Sequence, residues 1–183
     1  MNHSTSTVAD EAIRGFDFDA FFAALDQQRR HHDLNWYELA DQLWDQSSDL
    51  NAVREDHPLC GGAVSRLGRR GKTSCQYAMF MLRWLDRAPE EFLEGGGTDA
   101  AAALPPADPA HRLRWDLAEL HGAVDTRRCA QGLTWTELGR ILGCTPNRLT
   151  NLRSARECDL DLAMRAAQWT GHTPSAYIHP ASW

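Results

Sequence analysis

Apolar residues recur at intervals of three and four through most of this chain, a spacing that predicts helices. Phe18, Phe21, Phe22 and Leu25 share one face within residues 16–30. Asn35, followed three places later by Glu38, has the form of a capping box and opens a helix that runs to Leu43. Further helical stretches fall at 62–69 and 75–85, and Pro89 opens a short closing turn. The second half repeats the order, with helices at 117–128, from Trp135, at 146–155 and at 160–169, then a short fifth after Pro174. Period-two runs of β-branched residues are missing, so the pattern predicts an all-α protein.

The two halves share residues as well as pattern. DLNWYELADQL at 33–43 returns as GLTWTELGRIL at 132–142, with Leu, Trp, Glu, Leu and Leu in register. AVSRL at 63–67 matches RLTNL at 148–152, and the segment 77–93 matches 162–178 with Ala, Met, Trp and Pro aligned. Self-similarity of this kind means one supersecondary unit used twice. The first copy carries an insertion at 44–59 that the second lacks. Residues 94–111, rich in Gly, Ala and Pro, read as a flexible linker with a reach of about 21–25 Å. The expected division is a loose tail at 1–14, a first domain at 15–93, that linker, a second domain at 112–178 and a tail at 179–183, each domain with its own core.

The second copy makes the steric demands of a tight corner between two helices. Thr134 and Glu137 form a capping box ahead of Trp135. Leu138 and Leu142 face one core, and Gly139 lies beside them where the helices cross closely. Gly143 suits a left-handed helix end, and Cys144 plugs the turn. Thr145 stands at the next cap, with Pro146 at the first helical position, where a missing N–H costs nothing. Leu149 and Leu152 point back inward.

The series Leu138, Gly139, Leu142, Gly143, Cys144, Leu149 and Leu152 resembles the lambda-repressor-like (phage repressor/Cro) helix-turn-helix family over about 65 residues. The resemblance implies an all-α fold of two such domains in tandem, the first with an insertion, and a helix at 146–155 entering the major groove of double-stranded DNA. It implies base contacts from Asn147, Arg148 and Asn151, since Asn pairs bidentately with adenine and Arg with guanine. Thr145, Thr150, Arg153, Ser154 and Arg156 would then meet phosphates and set orientation. Two features depart from the family: Trp135 stands where a Gln often holds a phosphate, and Pro146 has no donor for a base. In the first copy Gly61 and Gly62 fall at the reading places, which leaves Arg66, Arg69, Arg70 and Lys72 to grip phosphates without selecting sequence.

Charge complicates this picture. The chain carries 19 basic and 25 acidic residues, net −6, where nucleic-acid domains are usually basic. Most of the excess belongs to the first half, net −5, against −1 for the second; contact electrostatics depend on local clusters within a screening length of about 8–10 Å. No apolar run approaches the ~20 residues of a membrane span. The polar start lacks a signal-peptide core, and five scattered cysteines fit a reducing, cytoplasmic setting. His31–His32 and His57–Cys60 lack metal-ligand spacing, so no metal or cofactor is expected. Hydrolase, zinc-protease and dinucleotide motifs are missing, which argues against an enzyme. Trp36 and Trp135, recurring with the helical pattern, are expected in the core.

The leading expectation is a sequence-specific transcriptional regulator acting as a homodimer or an intrachain pseudo-dimer. The other is a protein-interaction or antitoxin-like module on the same fold, its acidic first domain holding a protein partner.

Overall fold

Two fourteen-residue helices open the two halves, each started by an aspartate. Asp17 caps α1 (Phe18–His31) and Asp116 caps α7 (Leu117–Ala130), each carboxylate accepting a first-turn N–H at 2.8 Å. That contact satisfies a donor the helix itself cannot. The computed structural model describes residues 12–95 and 103–183, and these are mostly helical. Both expected capping boxes form, at α2 (Trp36–Asp45) and at α8 (Trp135–Ile141). The insertion contains α3 (Ser48–Val53); α4 (Gly61–Ser65) and α5 (Leu67–Arg70) follow, then α6 (Cys75–Leu85). The second half continues with α9 (Pro146–Thr150), a 3-10 turn at Asn151–Arg153, and α10 (Leu160–Thr170). Short 3-10 turns at Pro89–Phe92 and Pro174–Tyr177 end each half. Among the described residues no helix is long and apolar enough to cross a membrane.

The repeat extends to side-chain detail. Arg29 bonds Asp26 and the Leu34 carbonyl while lying over the Trp36 ring, 4.4 Å from its centroid. Arg128 does the same with Asp125, the Leu133 carbonyl and Trp135, at 4.6 Å. The two tryptophans are thus half-buried in equivalent cages, roofed by an arginine and stacked on Phe22 and His121 respectively.

The halves meet through reciprocal contacts. Cys75 N–H donates to the Cys158 carbonyl at 2.8 Å, and Leu160 N–H to the Thr73 carbonyl at 3.0 Å. In the repeat Cys75 corresponds to Leu160 and Thr73 to Cys158, so each half gives the other the same bond. An exchange of this kind is the mark of an approximate two-fold, here passing beside the Ser74–Asp159 bridge. Buried residues of both halves, Leu25, Met79 and Leu82 with Leu120, Leu138 and Ala163, belong to one hydrophobic cluster.

Several segments differ from the sequence expectation. A two-stranded antiparallel sheet joins β1 (Arg112–Trp115) to β2 (Ile178–Ala181), pairing Trp115 with Ile178 and Arg112 with Ala181. Four-residue strands, one containing Pro180, are too short to leave a period-two signature. Most of the expected 179–183 tail is therefore paired strand. Of the expected linker, 96–102 lies outside the described residues, while 103–111 lies against the first half rather than free. Arg83 donates to the carbonyls of Ala107 (2.7 Å) and His111 (2.9 Å), and Leu50 N–H to that of Pro109 (3.1 Å). The insertion is anchored too: Asp56 pairs with Arg112 at 2.7 Å, and Asn51 bonds the same guanidinium. These partners lie some sixty residues apart, beyond any local pattern.

Candidate nucleic-acid interface

The corner between α8 and α9 is set by two glycines. A Cβ on Gly139 would lie 2.6 Å from the Cys144 carbonyl oxygen, so only glycine permits this crossing. Gly143 holds φ at +61°, the left-handed conformation that side chains resist. Cys144 is half-buried in the turn, and that burial raises its thiol above the ordinary range. Ahead of the corner, the Thr134 N–H and hydroxyl both donate to Glu137, holding its carboxyl below the usual carboxylate range. Leu138, Leu142, Leu149 and Leu152 are all buried, which fixes the orientation of α9.

That orientation turns Asn147, Arg148 and Asn151 to solvent. The side-chain amides of Asn147 and Asn151 have no partner among the described residues, and Arg148 stands 4.0 Å from Asp159. Thr145, Arg153, Ser154 and Arg156 are also exposed, whereas Thr150 is half-buried and spends its hydroxyl on the Asn147 carbonyl at 3.3 Å. Thr145 holds the cap position without a side-chain cap bond. The helix expected at 146–155 ends as α-helix at Thr150 and tightens into the 3-10 turn, so Asn151 and Arg153 project from a narrower spiral.

In the first half, Val64 and Leu67 are buried as the core pair. Gly61 packs on α2, where a Cβ would lie 2.7 Å from the Trp36 carbonyl oxygen. Arg66, Arg69, Arg70 and Lys72 are exposed along α5 and the turn after it, with no side-chain partners among the described residues. The basic stretches of both halves run directly into the Ser74–Asp159 bridge, so the approximate two-fold brings their ends together. Acidic groups share this zone: Glu157 accepts a bond from the Ser74 hydroxyl.

Sequence reasoning missed the groups that cluster on β1. Arg112 is buried and Arg114 half-buried, each beside aromatic rings, and both hold positions that depend on the unforeseen sheet. It also missed Gln76, which is 5% exposed and bonds the Trp115 backbone through both N–H and carbonyl. The paired cages were missed as well, although the repeated Asp-x-x-Arg at 26–29 and 125–128 is a local signal that could have found them. Comparison of the chain with protein-family models, curated proteins and solved structures found no match.

Proposed function

We propose that the chain is a sequence-specific DNA-binding regulator built of two helix-turn-helix units of lambda-repressor-like type, joined as an intrachain pseudo-dimer. The reading rests on one observation: the glycine-set corner turns Asn147, Arg148 and Asn151 outward, with both asparagine amides uncommitted and Arg148 4.0 Å from Asp159. In this reading α9 and its 3-10 extension enter the major groove by their N-terminal part. Asn147 and Asn151 address adenine and Arg148 guanine. Arg153, Arg156, Thr145 and Ser154 hold phosphates around it, with a smaller part for Thr150, whose hydroxyl is engaged.

The first unit contributes affinity more than selection. Gly61 and Gly62 carry no reading side chains, while Arg66, Arg69, Arg70 and Lys72 remain for phosphates. The bound site is therefore expected to be lopsided, with one strictly specified half and one loose half about one DNA turn away (~34 Å). Selection from random duplex DNA, followed by salt titration of the winner, tests this. Affinity should fall steeply with salt, and Asn147→Ala combined with Asn151→Ala should abolish sequence preference. Unchanged discrimination in that double variant would overturn the assignment.

A protein-partner role has its own support in two apolar side chains held in water. Tyr37 is 71% exposed and Val53 80%, both in the acidic half, Val53 on the insertion. A stable complex with a protein and no duplex affinity would favour this second reading.

A further inference from the structure

A cleft of about 450 Å³ opens between the insertion, α6 and β1, a size typical of small-molecule sites. Trp44, Tyr77 and Phe80 give it aromatic walls, and Arg112 and Arg114 close it on the strand side. Arg112 is 4% exposed, with its guanidinium 4.6 Å from the Trp44 ring centroid. Its terminal nitrogens bond Asp56 and Asn51, but its Nε–H is buried with no partner among the described residues. The Tyr77 hydroxyl is buried and unpartnered in the same way.

Arg114 lies between the rings of Phe80 and Trp183, at 5.3 and 5.4 Å. It donates to the carbonyls of Trp183 and Gln76, and no carboxylate lies within ion-pair distance among the described residues. Burial and the neighbouring Arg112 push its guanidinium down to about 10, which leaves it charged at neutral pH. Two acids also line the cleft, and the charge of Glu157 acts on Arg114. Asp56 serves Arg54 and Arg112, and Glu157 takes the Ser74 hydroxyl. The buried groups left without partners here are the Arg112 Nε–H, a donor, and the Tyr77 hydroxyl, which can donate, and such groups are a liability that a native fold rarely keeps without use.

We propose that this cleft binds a small planar aromatic carboxylate, its ring against Trp44 and Phe80 and its anionic group on Arg114, with Tyr77 and Arg112 donating beside it. Apolar contact with the ring cluster and charge-assisted hydrogen bonds supply complementary recognition. The occupant would also touch Cys60 and Ala63 at the start of α4. None of this depends on duplex binding, so it stands or falls separately from the regulator reading.

Calorimetric titration of the full chain tests it, with indole-3-carboxylate as probe and indole-3-carboxamide as its neutral twin. The carboxylate should bind, and the carboxamide at least about tenfold more weakly. Tyr77→Phe, which removes one oxygen, and Arg114→Gln should each weaken the carboxylate by about tenfold or more, with circular dichroism unchanged. Should Arg114→Gln fail to fold, Tyr77→Phe and the loss of ligand-dependent fluorescence in Trp44→Phe decide the matter. No binding at millimolar probe, equal binding of the twins, or full affinity in Tyr77→Phe would overturn the proposal.

Discussion

Gln76 and Asp161 hold equivalent positions in the two halves, and each accepts the backbone N–H that opens the opposite half. Trp115 N–H reaches the Gln76 side chain at 3.0 Å, and Phe16 N–H reaches Asp161 at 3.3 Å. Gln76 goes further, donating to the carbonyls of Trp115 at 3.1 Å and Arg156 at 2.9 Å. Each half thus satisfies a backbone donor just ahead of the other's first helix, in a contact that neither could supply alone.

The shared core, with this clasp added to it, should make the two halves one cooperative unit. Gln76→Ala strands buried backbone groups at about 1–3 kcal/mol each. The expected outcome is a lower midpoint in urea, with fluorescence and circular dichroism still reporting a single coincident transition. Separate transitions for the two halves would show that the shared core does not couple them.

Two glycines should respond with opposite signs. Gly139→Ala places a methyl against the Cys144 carbonyl oxygen and should destabilise by about 1–3 kcal/mol. Gly122, within α7, has open space around the position of a Cβ. Gly122→Ala should stabilise by about 0.5–1 kcal/mol, because glycine loses more freedom on entering a helix. Thermal melting of both variants checks the pair.

The anchor of the insertion is sensitive to acid. Hydrogen bonds from Arg54 and Arg112 hold the Asp56 carboxyl below its ordinary value. A carboxyl lowered by folding contributes stability above its unfolded pKa of about 3.9, and loses it as pH falls through the folded value. Asp56→Asn should therefore melt below the wild type near neutrality, with the gap closing as pH falls through the carboxylate range. A gap that persists in acid would show that the Asp56 charge does not tie down the insertion.

Salt dependence separates phosphate contacts from base contacts. If Arg156 holds a phosphate, Arg156→Ala should weaken duplex binding equally across sequences and reduce the slope of log affinity against log salt by about one. Loss of affinity confined to one sequence would place Arg156 at a base instead.

What could be read along the chain was local. The capping boxes at Asn35 and Thr134, the left-handed Gly143 and the tight crossing at Gly139 each depend on residues within a turn or two of one another. Their chemistry is therefore written in adjacent letters, and so was the outward placement of Asn147 and Asn151, once Leu149 and Leu152 were assigned inward. The limits of the helix that starts at Pro146 were less legible, because the 3-10 tightening at Asn151–Arg153 answers to packing rather than propensity.

Tertiary structure alone decided the rest. Trp115 pairs with Ile178, Arg112 with Asp56, and Gln76 with the turn at Arg156, across gaps that no period spans. A composition rich in Gly, Ala and Pro suggested a free linker. The carbonyls at Ala107, Pro109 and His111 instead found donors on Arg83 and Leu50, and a satisfied backbone stays docked whatever its composition. Repetition in the letters announced two similar units. Their approximate two-fold arises from bonds exchanged across the chain, which exist only once both units have folded.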